Sequence, residues 1–294
     1  MNTWGKVLMG LVGSVVALGG LGWVGLQIPP RNFTPPQAEP QGLGTVAIPA
    51  DLPAPVRRYL QVAFGEQIPR VESMVAWGRA RARFGIWMPL RFLLYHRPGQ
   101  AFERDMEVTW FGLPVLKALD KYINGKGMTG PLNNLETGPK VDQGANLILW
   151  AEATFYPSLL ITDPRLRWEA IDETSARLIF PFNGEESEMI FYFDPQSGLV
   201  TRTWALRYQG GTGEKVPWYA EIKSWQTING KQLPRRVVVV WENEGTPWSD
   251  WTFEGVLWNV DVSQQLPTAT SALAGQPQPV LQLNGGGKRW PPNQ

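Results

Sequence analysis

Glu152 is the side chain in this sequence best placed to do chemistry. It lies in the stretch L-I-L-W-A-E-A-T-F-Y, residues 147–156, a lone carboxylate among apolar neighbours with Tyr156 one helical turn further on. A carboxyl group so placed has two physical outcomes. Without a partner it is a buried acid of raised pKa. Met by a strand arginine such as Arg202, Arg207 or Arg235, it is a structural ion pair. Glu169 and Asp172, close after Trp168, would join Glu152 as the two carboxylates of a glycosidase-type hydrolase, a chemistry that depends on a separation only the fold can set.

Other catalytic sets are mostly absent. The chain has 1 His and 0 Cys, which excludes multi-histidine metal sites, thiolate catalysis and disulfides. His96 ends a strand whose inward positions are Met88, Leu90, Phe92 and Leu94, the place of a hydrogen-bonded core or rim histidine. A triad of His96 with Ser158 or Ser187 would need a G-x-S-x-G elbow, and there is none. Glycine-rich phosphate loops, H-E-x-x-H and EF-hand spacings are missing too, so no metal and no cofactor is expected. The 15 Trp are the unusual feature. Trp204, Trp218, Trp225, Trp241, Trp248, Trp251 and Trp258 fall on both faces of their strands by parity. Some pack inside a sheet. Others are free to line a cavity for an acyl chain or a sugar face, or to sit at a membrane interface. The candidate ligand-binding set is Trp150, Glu152, Tyr156, Trp168, Trp204, Trp218 and Trp241, with no catalytic residue among them.

The elements that must hold these residues follow from periodicity. Leu147, Trp150, Ala151, Thr154 and Phe155 recur on one helical face, and the opposite face, with Ile148 and Leu149, is nearly as apolar. A helix hydrophobic all round must be covered on more than one side. The spacing predicts this helix over Asn146–Leu160, ended or kinked near Tyr156 by Pro157. Ahead of it, Ala80, Ala82 and Phe84 alternate with Arg79, Arg81 and Arg83, and two further alternating runs follow. That is a meander with one apolar and one charged face. After the helix, seven strand patterns run from Leu166 to Val262, separated by turns such as Asp194–Gly198 and Asn229-Gly230. An open sheet of more than about ten strands curls. The expected fold is mainly β (α+β), a curved antiparallel sheet or half-barrel wrapped around the central helix.

The flanks differ in composition. Val7–Ile28 carries no charge, and about 20 such residues span a bilayer as a helix. A secretory signal would have a shorter core and a small-residue cleavage site, for which Ala17-Leu18-Gly19 is poorly placed. Residues 1–28 therefore read as a transmembrane anchor, 29–51 as a Pro-rich, semi-rigid linker, 52–262 as the β domain and 263–294 as a disordered tail. A net charge of +1 argues against a nucleic-acid partner.

Two resemblances add to this. L-P-A-P-V-R-R-Y-L at 52–60, Y-I-N-G-K-G at 122–127, A-E-A-T-F-Y-P-S-L-L at 151–160 and R-W-E-A-I-D at 167–172, with P-W-Y at 217–219, resemble an uncharacterised bacterial domain family that carries no assigned activity. F-Y-F-D-P-Q-S-G-L-V-T-R at 191–202 is similar, more loosely, to the periplasmic lipoprotein carriers of LolA/LolB type. That likeness implies a sheet wrapped round a helix-capped apolar cavity. The expectation is a membrane-tethered, extracytoplasmic, single-pass protein binding a lipid or other apolar ligand without catalysis. A carboxylate-based envelope hydrolase, or a scaffold docking a protein partner through the Trp-rich strands, are the alternatives.

Overall fold

The alternating runs of the sequence become strands of a single sheet. The computed structural model describes residues 3–34 and 37–267, with the side chains of residues 3, 5–8 and 10 outside that set. The chain begins with α1 (Thr3–Gln27), β1 (Thr45–Ala47), α2 (Ala54–Phe64) and β2 (Gln67–Pro69). Next come β3 (Met74–Phe84), β4 (Ile86–Arg97), β5 (Ala101–Trp110), β6 (Leu113–Ile123), β7 (Lys126–Pro131) and β8 (Glu136–Thr137). A helical segment follows: α3 (Pro139–Ala151), a 3-10 turn (Glu152–Phe155) and α4 (Leu159–Thr162). The remaining strands are β9 (Arg167–Asp172), β10 (Ser175–Phe182), β11 (Glu185–Phe193), β12 (Val200–Tyr208), β13 (Lys215–Ile228), β14 (Lys231–Trp241) and β15 (Pro247–Trp258).

Thirteen strands form one antiparallel sheet in the order β8-β7-β6-β5-β4-β3-β15-β14-β13-β12-β11-β10-β9. It is two meanders joined at a seam, where Ala80 of β3 pairs with Trp251 of β15. The helical segment links the two outer edges, β8 and β9. α3 packs on β6, β7 and β8 from one meander and on β12 from the other. Strands near both edges thus touch one helix, which requires the sheet to bend around it, as accumulated strand twist permits.

Alternation decides what faces the helix. Ala80, Ala82, Leu90, Phe92, Leu94, Phe102 and Val108 are buried on the concave side. Their neighbours form ion pairs on the convex side, such as Arg79 with Glu254 and Arg91 with Glu107. The Asn124-Gly125 hairpin has φ of 52° and 78°, the left-handed pair that a tight two-residue connection needs.

α3 is enclosed on nearly every side, from Val141 through Trp150. It starts earlier than periodicity predicts, because Pro139 pre-sets its first turn. It tightens to 3-10 geometry at Glu152 and breaks at Tyr156, whose φ of −139° and ψ of 68° are the extended backbone that a following proline favours. α2 covers the strand ends around Lys231 and Pro195. Arg58 donates to the Pro195 and Gln196 carbonyls at 2.8 and 2.7 Å, and Lys231 donates to the Phe64 carbonyl.

The flanks correct two expectations. The Pro-rich stretch is not a free spacer. Pro30 is buried, and Arg91 donates to the Arg31 carbonyl at 3.1 Å while its guanidinium sits 4.4 Å from the centre of the Phe33 ring. Residues 45–47 pair with β2, so the folded body starts before residue 52. Proline removes a donor but leaves carbonyls that outward-facing arginines use. At the other end, Leu266 is buried against Val75, Ala101, Val260 and Val262, and its carbonyl takes Arg97, so packing continues past Val262. Residues 268–294 of the expected tail lie outside the described residues.

The last turns of α1 rest on the β5–β6 turn. The Gly22 carbonyl accepts the Trp110 indole N–H at 3.0 Å, and the Gly25 carbonyl accepts the Phe111 N–H at 2.8 Å. Apart from Ser14, the described side chains from Leu11 to Val24 are apolar, and they are largely exposed, Leu18 at 69%. Among the described residues no helix is long and apolar enough to cross a membrane.

Candidate functional site

A cavity of about 120 Å³ opens between the helical segment and the concave face of the sheet, chiefly along β12–β15. Ile148 and Phe155 line it from the helix side, and Ile222, Val239, Trp251 and Phe253 from the sheet. Its polar portion is built by Arg104, Asp120, Glu152 and Arg207.

Glu152 is held by two partners. Its Oε2 lies 2.6 Å from His96 Nε2, and its Oε1 accepts from Arg104. Arg104 reaches on to Asp120 at 3.2 Å, and Asp120 accepts the Thr129 hydroxyl. Burial alone would push the Glu152 carboxyl up, but Arg104 and His96 outweigh it and hold the group below the usual carboxylate range. Burial likewise keeps His96 below its ordinary value, against the pull of Glu152. The histidine is therefore neutral at pH 7. An ionised carboxylate only accepts, so Nε2 carries the proton and the buried Nδ1 is an acceptor without a partner. Glu152 is an ionised structural carboxylate, and its cation is Arg104. Arg202 lies over the Tyr192 and Tyr219 rings, and Arg235 is exposed.

Arg207 stands differently. Its Cζ is 5.0 Å from the ring centre of Trp218 and 5.3 Å from that of Trp241, within cation–π range of both. Among the described residues it makes no ion pair, and its sealed Nε has no hydrogen-bond partner. Burial lowers the guanidinium to about 10, with Asp120 opposing and Arg104 adding, so it stays charged at neutral pH. α3 crosses it at Gly144, where a Cβ would stand 3.0 Å from Arg207 Nε. Four other buried donors lining the same cavity also lack partners: Arg104 Nε, Thr203 Oγ1, Trp218 Nε1 and Trp248 Nε1.

The sequence-derived residues scatter. Glu152 and Trp218 line the cavity, and Trp241 stands behind Arg207. Trp150 stacks on Phe180 in the core. Tyr156 packs on His96 and donates to the Leu149 carbonyl. Trp168 donates to the Leu160 carbonyl at 3.0 Å. Trp204, next to inward-facing Thr203, points to the convex side. Glu169, next to inward Trp168, does the same and pairs with Arg167 and Arg177, so no Glu152–Glu169 carboxylate pair forms. Asp172 accepts from Thr174 in an exposed turn. Ser158 Oγ accepts the Val71 N–H at 3.0 Å. Arg104 is a cavity residue outside the sequence reading, and Trp248 and Trp251, members of its Trp set but not of its seven candidates, line the cavity too. Arg104 had a legible signal, since it shares the parity of Phe102 and Met106.

Fold and site together define a half-barrel with a helix-lined amphipathic cavity. The chain belongs to a family of unknown function, DUF6544, whose model matches residues 45–253, from β1 to the cavity residue Phe253. No curated protein matches it. Among solved structures it is similar to a LolA superfamily protein from Nitrosomonas europaea, at 10% identity over 74% of this chain and 96% of that one, TM-score 0.44. It is similar to a DUF1329 family protein from Desulfovibrio piger at 12% identity, covering 71% and 92%, TM-score 0.41. A putative outer membrane lipoprotein-sorting protein domain from Vibrio parahaemolyticus shares 7% identity over 63% and 85%, TM-score 0.34.

Proposed function

We propose that this protein binds a lipid or other amphiphile in the cavity, without catalysis, and is held at a membrane by its N-terminal helix. The carrying observation is the cavity itself, whose apolar wall runs from Ile222 and Val239 to Phe253 against Phe155 of the helical segment. The acid–base candidates point away from turnover: Glu152 is committed to Arg104 and His96, and Glu169 faces outward.

Membrane placement draws on a second observation. The turns β3–β4 and β5–β6 lie at the same end of their strands and expose Phe84, Ile86, Leu113 and Val115, with Leu113 at 68%. α1 docks on that end through Trp110. An apolar helix and apolar turns side by side suit a bilayer surface. In this reading residues 7–28 span the membrane, Lys6 stays on the cytoplasmic side and the body is extracytoplasmic.

The full chain, delipidated and offered labelled phospholipids and fatty acids, should take up one of them saturably and retain it through native mass spectrometry. Purified protein that neither carries lipid nor binds any added amphiphile would end this reading.

A further inference from the structure

Four of the cavity's five unpartnered buried polar atoms can only donate, and the fifth is the Thr203 hydroxyl. Arg104 Nε, Thr203 Oγ1, Arg207 Nε, Trp218 Nε1 and Trp248 Nε1 are each sealed from solvent without an acceptor. Buried polar groups are normally paired, so this cluster of donors makes the surroundings of the cavity electropositive. The charges agree. Glu152 and Asp120 both bond to Arg104, which leaves Arg207 as a cavity cation without a carboxylate in contact. A guanidinium within cation–π range of two indoles keeps N–H groups for a planar or tetrahedral anion.

Resting on the lipid reading, we propose that the occupant is an amphiphile with an anionic head, a carboxylate or phosphate, seated on Arg207 beside Trp218, its chain lying along Ile222, Val239 and Phe253. Gly144 is part of this site. A side chain there would crowd the guanidinium from the α3 side. Nothing reacts; the anion exchanges water for a preformed set of donors.

The test uses the full chain in phosphatidylcholine nanodiscs, with a fluorescent polyene fatty acid, its methyl ester and inorganic phosphate as probes, read by energy transfer from the tryptophans and by competition. Wild-type protein should bind the acid at least about tenfold more tightly than the ester, the value of about 1.4 kcal/mol. Arg207→Gln should bring that ratio to about one while leaving the ester's affinity unchanged, and Arg207→Lys should keep part of it. A thermal midpoint for R207Q equal to or above wild type shows that the variant is folded. Equal binding of acid and ester by wild type, or an unchanged ratio in R207Q, overturns the anionic head alone. Binding of neither probe overturns the lipid reading as well. Tight binding of inorganic phosphate with no gain from the chain overturns the amphiphile in favour of a free anion.

Discussion

Glu152 and His96 meet at 2.6 Å across the line where the helical segment crosses β4, while the same carboxylate takes Arg104 of β5. One carboxylate thus ties the helical segment to two strands. Removing its charge leaves Arg104 with Asp120 alone. Breaking one partner of a buried ion pair costs on the order of 3 kcal/mol. Glu152→Gln should therefore lower the thermal midpoint by roughly 6–12 °C for a domain of this size, measured by circular dichroism. A midpoint unchanged within about 1 °C, the precision of such a melt, would mean the tie does not hold the fold together.

The same contact sets an acid limit. The folded protein binds a proton on His96 more weakly than the unfolded chain, whose histidine titrates near 6.5. As pH falls below that value the unfolded state gains the proton first, and stability drops. Glu152 acts in the same direction lower down, because its folded pKa lies below the ordinary 4.5. Urea midpoints should be flat from pH 8 to about 7, fall from about 6.5, and fall further below about 4.5. There is 1 His in the chain, so His96→Phe should erase the first phase while leaving the second.

Gly127 lets α3 approach β7. A Cβ there would come within 2.7 Å of the Val141 carbonyl oxygen and 2.9 Å of the Ala145 Cβ. The Asp142 carboxylate, which accepts the Gly127 N–H at 2.7 Å, would be pushed from its bond as well. Gly127→Ala should cost about 1–3 kcal/mol, as overpacking does, and chemical denaturation should report it. Gly42→Ala, with open space around it, is the matched control.

The 0 Cys of the sequence make single-cysteine labels clean. A polarity-sensitive dye on Leu113→Cys should shift to the blue when the full chain is reconstituted into phosphatidylcholine vesicles. The same dye on Gln100→Cys, at the opposite end of the same strands, should not. Equal spectra at the two positions would remove the apolar turns from the membrane surface.

Sequence reasoning reached the architecture because the period of two along β3–β5 and the all-round apolar face of α3 are local signals that a curved sheet alone satisfies. It reached the Asn229-Gly230 turn between β13 and β14 for the same reason. It did less well on the site. Arg104 and Arg207 are inward charges on strands read by their apolar alternation, and which arginine meets Glu152 is decided by strand order. That order brings β5 against the segment after α3. Of the seven candidate residues, Trp150, Glu152, Tyr156 and Trp168 belong to the helical segment and the strand after it, and Trp204, Trp218 and Trp241 to β12–β14. Only Glu152 and Trp218 line the cavity, because strand parity alone does not say which aromatic meets the open space. In the Pro-rich stretch composition reports stiffness, not the contact by which Arg91 takes the Arg31 carbonyl.

The β3–β15 seam has a consequence for how the chain is made. Ala80 cannot meet Trp251 until almost the entire domain has been synthesised, so β3 waits with an unpaired edge while its own meander is complete. Long-range pairing of this kind folds slowly, and a bare strand edge invites other chains. Productive folding then depends on keeping newly made copies apart until β15 arrives, and a short C-terminal truncation removing β15 would leave an aggregating half-sheet in place of a slightly smaller domain.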